Sequence, residues 1–203
     1  MPIVVLVLLL MGAWPQASPP PAELYRVVLI QAAPGKLLDL IDLYKRRLPV
    51  IAAGGDELPF IVRHSQGDRW DLVVIYPSGS FTSYYGAERM ARRAEAARAS
   101  GVTNEAFAKQ FYDLVAWHED VYVEGPPLAD FRSYVKDLGL VHFEMFQALA
   151  GKRDALIEER RMESAFNIAR DRPGALIFTH EQGAAWDVIT LDAWKDWRQY
   201  GEA

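Results

Sequence analysis

The stretch His64-Ser65-Gln66-Gly67-Asp68-Arg69-Trp70-Asp71 returns 116 positions later as His180-Glu181-Gln182-Gly183-Ala184-Ala185-Trp186-Asp187. The same offset holds outward: Gln147 falls on Gln31, Gly151 on Gly35, Lys152 on Lys36, Leu156 on Leu40, Ile177 on Ile61 and Tyr200 on Tyr84. A register kept without a gap through several elements marks a structural repeat. Within each copy, glycine is the first residue of a dipeptide, Gly67-Asp68 or Gly183-Ala184. That is the position in a two-residue hairpin loop that needs positive φ. A turn centred there sets His64 opposite Asp71 and His180 opposite Asp187. Opposed residues share one face of a sheet, so the phrase predicts a structural His–Asp pair closing each hairpin. A neighbouring carboxylate favours imidazolium.

Each copy reads as strand, helix, strand, strand. YRVVLIQA (25–32) and VHFEMFQA (141–148) are rich in β-branched and aromatic residues. KLLDLIDLYKRRL then places Leu37, Leu40, Ile41, Tyr44 and Leu48 at helical spacing. PFIVRHS with WDLVVIY, and ALIFTHE with WDVITL, supply the hairpins. The first copy continues with the helix SYYGAERMARRAEAARAS, then a helix capped by Thr103, then a fourth strand stopped by Pro126 and Pro127. The second copy ends in DAWKDWRQYGEA, a short helix with no fourth strand. The expected fold class is α+β: two tandem ferredoxin-like halves, βαββαβ and a truncated βαββα, closing into a pseudo-two-fold barrel. The expected boundaries are a leader over 1–22, a first half over 23–126, a linker helix over 127–138 and a second half over 139–203.

Composition narrows the function. The 203 residues carry a net charge of −5, which argues against nucleic acid or an anionic membrane as partner. The chain has no Cys, which excludes disulfides, thiolate catalysis and Cys-ligated metals. An apolar run, Ile3 to Met11, fits the core of a secretory signal and is too short to span a bilayer. The expected location is therefore periplasmic or secreted, with no membrane contact in the mature form. The missing basic residue before the run and the placing of Pro15 stand against this, and a buried strand is the alternative.

Period-two alternation sorts the hairpin residues into two faces. One carries His64 with Phe60, Val62, Val73 and Ile75, and this drier face is expected under helices. The other, expected to line the barrel, carries Ile61, Arg63, Trp70, Leu72, Val74 and Tyr76, and in the second copy Thr179 and Trp186. His142 and Glu144 are assigned to the same mixed face, since burying them under helices would be costly.

Two tandem strand-helix-hairpin units with apolar sheet faces resemble the dimeric α+β barrel superfamily, which includes antibiotic-biosynthesis-type monooxygenases, NIPSNAP-like and EthD-like proteins and haem-handling relatives. The resemblance covers roughly residues 24–203 as a pattern and rests on no diagnostic catalytic motif. It implies a cavity between sheets for a small apolar or aromatic ligand.

The candidate ligand-binding residues are Trp70, Trp186, Tyr76, Arg63 and Thr179; the aromatics could equally be plain core. His142 and Glu144, two apart on one strand, are candidates for general base and orienter. A metal or haem held by His64 and His180 is a weaker reading, because repeated hairpins lie apart; no cofactor and no metal is expected. The two leading functions are ligand binding with cofactor-independent, monooxygenase-like chemistry, and a non-catalytic carrier or interaction module. Trp194, Trp197 and Tyr200 could form an apolar interface or the packing face of the last helix, so the chain could be a monomer or a homodimer.

Overall fold

The computed structural model describes residues 22–202; the expected leader lies outside them but for Ala22. The strands are β1 (Glu23–Ala32), β2 (Phe60–Arg63), β3 (Leu72–Gly79), β4 (Val115–Gly125), β5 (Leu140–Phe146), β6 (Leu176–Gln182) and β7 (Val188–Trp194). The helices are α1 (Leu37–Ala53), α2 (Phe81–Tyr84), α3 (Ala87–Ala99), α4 (Asn104–Leu114), α5 (Leu128–Tyr134), α6 (Arg153–Ile168) and α7 (Trp197–Glu202). All seven strands join one sheet in the order β2-β3-β1-β4-β6-β7-β5, and every pairing is antiparallel. The sheet curls, so the fold is α+β of the barrel class.

Local sequence explains the breaks. Thr103 caps α4, its hydroxyl accepting from the Ala106 N–H at 3.2 Å. The helix stops at Leu114, because Val115-Ala116-Trp117 is drawn into β4 beside β1. Gly86 parts α2 from α3, where the sequence reads as one helix. Asp192-Ala193-Trp194 continues β7, where the sequence reads as the start of the last helix. The strand wins there because β5 offers it a complete partner, Leu140 to Phe146.

Two cores lie on the two sides of the sheet. The inner one gathers Val27 and Leu29 of β1, Val73 and Ile75 of β3, Val121 and Val123 of β4, Phe178 of β6, and Ile189 and Leu191 of β7. Phe131 of α5 enters it, fully buried, with ring centroids 5.4 Å from Tyr25, 5.8 Å from Phe60 and 6.0 Å from Phe178. Helix α5 is tied in place by polar bonds: the Tyr25 hydroxyl donates to the Pro126 carbonyl at 2.7 Å, and the Leu128 N–H donates to Glu23 Oε1 at 3.2 Å. The outer core packs α1 and α4 on the first four strands through Leu40, Leu43, Tyr44 and Phe111 against Val28, Ile30, Leu72 and Val74.

This reverses the expected faces of the strand residues, whereas Trp70 and Trp186 pack into the inner core as expected. Phe60, Val62, Val73 and Ile75 point into the barrel, and Ile61, Val74 and Tyr76 lie under helices. The barrel interior is closed by apolar side chains from every strand around it, so it takes the driest set. The helix-covered face tolerates polar tips at its margin. There Arg26 Nε donates to Asp120 Oδ1 at 2.6 Å and its guanidinium lies 5.5 Å from the Tyr76 ring.

Candidate functional site

The repeated phrase holds the ends of the two hairpins with the same bonds. The His64 N–H donates to the Asp71 carbonyl and the His180 N–H to the Asp187 carbonyl, both at 2.8 Å. The register of each hairpin therefore places His opposite Asp, as the sequence predicts. The side chains do not form the expected ion pair. Asp71 Oδ2 accepts from the Ala32 N–H and Asp187 Oδ2 from the Ala148 N–H, each at 2.8 Å. Each carboxylate thus caps the end of the neighbouring strand where the backbone turns toward α1 or α6. His64 Nδ1 instead meets the Trp70 carbonyl at 2.7 Å and its ring stacks on Trp70, centroids 4.0 Å apart. His180 Nε2 accepts from the Ala184 N–H at 3.1 Å. Both imidazoles are engaged inside their own hairpins, which leaves a site shared between them without support. Gly67 and Gly183 have φ of +115° and +107°, the positive values that glycine supplies.

The candidate ligand-binding residues divide between the two faces. Trp70 is buried in the inner core, with Trp186 packed against it. Both indole Nε1 atoms are buried without a hydrogen-bond partner. Arg63 is exposed at the end of β2. Tyr76 belongs to the outer core beside Tyr44, and burial there pushes its hydroxyl up to about 12. Thr179 alternates with the inward-facing Phe178 and so lies on the outer side of β6, opposite Glu124 and Val188. Tyr76 and Thr179 therefore cannot line the barrel interior.

A cleft of about 880 Å³ opens between β2 and β5, the two ends of the sheet order. Among the described residues each of these strands has one unpaired edge. The cleft is walled by Phe60, Val62, Val141 and Phe143, reaches Trp70 at its base, and is bordered by Arg63 and by Trp197 and Tyr200 of α7. A sequence reading that closes the barrel cannot foresee it.

His142 and Glu144 alternate with the inward-packed Val141, Phe143 and Met145 and so lie on the outer side of β5, not on the barrel-lining face expected of them; His142 alone borders the cleft. Its Nδ1 is 3.3 Å from Asp192 Oδ2, directly across the β5–β7 pair. Glu144, two residues along the same strand, accepts from the Thr190 hydroxyl at 3.3 Å. The partner of His142 is thus Asp192, which the sequence reads as part of the last helix but which lies on β7, and not Glu144. The hydrogen bond that His142 donates to Asp192 raises the His142 pKa, against the opposing effect of burial, and the charges of Glu144 and Glu163 add to the rise. His142, Glu144 and Asp192 offer ligand atoms all within 4.8 Å of one another. Tyr200 lies beside them, its ring 5.6 Å from His142 and 5.3 Å from that of Trp194. Trp194 itself is buried on β7, while Trp197 and Tyr200 remain exposed.

No family model matches the chain, and no curated protein matches it. Among solved structures, a provisionally assigned monooxygenase from Lactobacillus acidophilus superposes with a TM-score of 0.56 at 7% identity, over 90% of this chain and 81% of its own. A haem-binding protein from Thermus thermophilus aligns over 92% of this chain and 85% of its own, at 15% identity and a TM-score of 0.40, a superposition too loose to bear on function. The first likeness agrees with the α+β barrel read from the strand order; at that identity it speaks to fold alone.

Proposed function

We propose that this protein binds a small apolar or aromatic molecule in the cleft between β2 and β5. The observation that carries the reading is the cleft itself: its volume lies in the range of ligand pockets, about 300–1,000 Å³, and Phe60, Val62, Val141 and Phe143 give it an apolar wall beside the polar His64, Ser65, Gln66 and Arg63. Trp70 at its base has a buried indole N–H with no partner. Buried donors are seldom left unpaired; with a shift of the Trp70 ring toward the cleft, this N–H would meet an acceptor oxygen of the ligand. The proposal extends to oxygenation of that molecule by dioxygen, the substrate itself supplying the two electrons so that one oxygen atom enters it as a carbonyl and the other leaves as water, in keeping with the fold shared with the Lactobacillus protein; of the polar groups, His142 borders the cleft. A carrier would bind the same molecule and release it unchanged.

Two further expectations belong to this reading. The chain is exported, so the mature form recovered outside the cytoplasm lacks the run Ile3–Met11. The two halves are a tandem duplication, supported by the hairpin bonds that recur at one offset, and by Gly35 and Gly151, with φ of +76° and +70°, each opening its helix.

Calorimetric titration of the full chain with naphthalene and with naphthol tests the binding claim. Both are expected to bind once per chain. Trp70→Phe, which keeps a ring but removes the N–H, should weaken naphthol and leave naphthalene nearly unaffected. Binding of neither probe overturns the proposal. Equal loss for both probes overturns the role given to the indole N–H.

A further inference from the structure

We propose that His142, Glu144 and Asp192 bind a first-row divalent cation, Mn²⁺ or Zn²⁺, on the outer side of the β5–β7 pair, where His142 borders the cleft. The three come from adjacent strands whose register fixes them: His142 pairs with Asp192 and Glu144 with Thr190. His142 and Glu144 project from one face because they are two apart on a strand. One imidazole and two carboxylates form a nitrogen–oxygen donor set of the kind these cations take, and three protein ligands leave coordination positions open. The donor atoms lie within 4.8 Å of one another. Two bonds of about 2.1 Å span at most ~4.2 Å, so a small side-chain adjustment brings all three onto one ion.

A second observation points to an absent ligand. Asp192 Oδ1 is buried and has no hydrogen-bond partner, while Oδ2 is committed to His142. A desolvated carboxylate oxygen without a donor is costly, and a cation satisfies it. The surrounding charge favours one as well. From α6, Glu163 faces His142, and Arg160 is engaged by Glu159 and Glu163 while lying over the Phe146 ring at 4.3 Å. From α7, Tyr200 brings an uncharged ring.

The first half makes the contrast. At the same offset, His142 corresponds to Arg26, Glu144 to Val28 and Asp192 to Tyr76. There the guanidinium of Arg26 supplies a built-in cation to Asp120. In the second half that position holds two carboxylates, with His142 and the Thr190 hydroxyl as their nearest donors.

The cation proposal uses the cleft reading only for its location, and it is tested without any organic ligand, so the two can fail separately. The chain is freed of metal with a chelator and titrated by calorimetry with Mn²⁺ and with Zn²⁺. One cation per chain is expected. Asp192→Asn, Glu144→Gln and His142→Ala should each weaken it by at least about tenfold, whereas His118→Ala, a histidine elsewhere in the sheet, should not. Thermal melts in metal-free buffer establish that each variant is folded. Should Asp192→Asn fail to fold, Glu144→Gln, which keeps an oxygen to accept from Thr190 and removes the carboxylate charge, carries the test. No binding by the wild-type chain overturns the proposal, and so does binding that the folded variants retain in full.

Discussion

Replacing Phe178 by Ala tests whether strands from both parts of the chain share one core. Phe178 is fully buried on β6. Its ring meets Tyr25 of β1 edge-on, centroids 5.3 Å apart, and Phe131 of α5 at 6.0 Å. It also lies against Gly125 at the end of β4, where an added Cβ would come within 2.3 Å of its Cδ1. Truncating a buried Phe to Ala removes about 3–5 kcal/mol, of which the two aromatic contacts account for roughly 0.5–1.5 kcal/mol each. Against a total stability of about 5–15 kcal/mol that is a large fraction. Urea denaturation followed by far-ultraviolet circular dichroism and by tryptophan fluorescence measures it. The expected result is a lower midpoint with coincident transitions in both signals, because the lost side chain belongs to a core common to β1, β4, β6 and α5. A loss below about 1 kcal/mol, the size of an ordinary surface change, would refute the reasoning.

Other outcomes follow from the same contacts. Gly125→Ala should destabilise from the opposite side, since its new methyl group would collide with the Phe178 ring, and the double variant with Phe178→Ala should recover part of that loss in the same assay. Asp71→Ala and Asp187→Ala each remove one carboxylate–backbone bond of 2.8 Å, so each should cost about 1.5–3 kcal/mol in chemical denaturation; a large cost at one site and none at the other would deny the bonds an equivalent role. Gly183→Ala should be worse than Gly67→Ala, because its Cβ would lie 2.4 Å from the Asp120 carbonyl oxygen, against 3.2 Å from the movable His64 ring at Gly67; melting temperatures decide the order. Asp56 is desolvated, which alone would raise its pKa, but hydrogen bonds from Arg93 and Arg89 outweigh burial and hold it below its ordinary 3.8. A depressed carboxylate contributes stability that is present above the unfolded value and lost as pH falls through the folded one. Asp56→Asn should therefore flatten the acid limb of a denaturation series below about pH 4 and lower stability at neutral pH.

The register of each hairpin was legible because glycine fixes a turn and period two does the rest. The strand–helix order was legible for the same local reasons, and the observed sheet order β2-β3-β1-β4 follows the ferredoxin-like pattern. Which face turns inward was not. Alternation separates Val73 and Ile75 from Val74 and Tyr76, but only the curl of the whole sheet decides which set meets strands and which meets α1. The site suffered most from one boundary. Asp192 reads as a helix start beside Trp194 and Trp197, and only the pairing with β5 makes it strand and sets it across from His142. Its counterpart at the repeat offset is Tyr76, inside β3, so strict use of the repeat would have placed it correctly. The cleft is a property of tertiary closure and has no local signature.

Native mass spectrometry of the full chain, purified without added ligand, beside Val141→Trp, tests the central claim most directly. Val141 lines the cleft, and an indole there would project into it and take the space a ligand needs. The account predicts an organic mass excess on the wild-type chain that denaturation releases, and a bare mass for the folded variant. A bare wild-type chain, or the same excess on both, would contradict it.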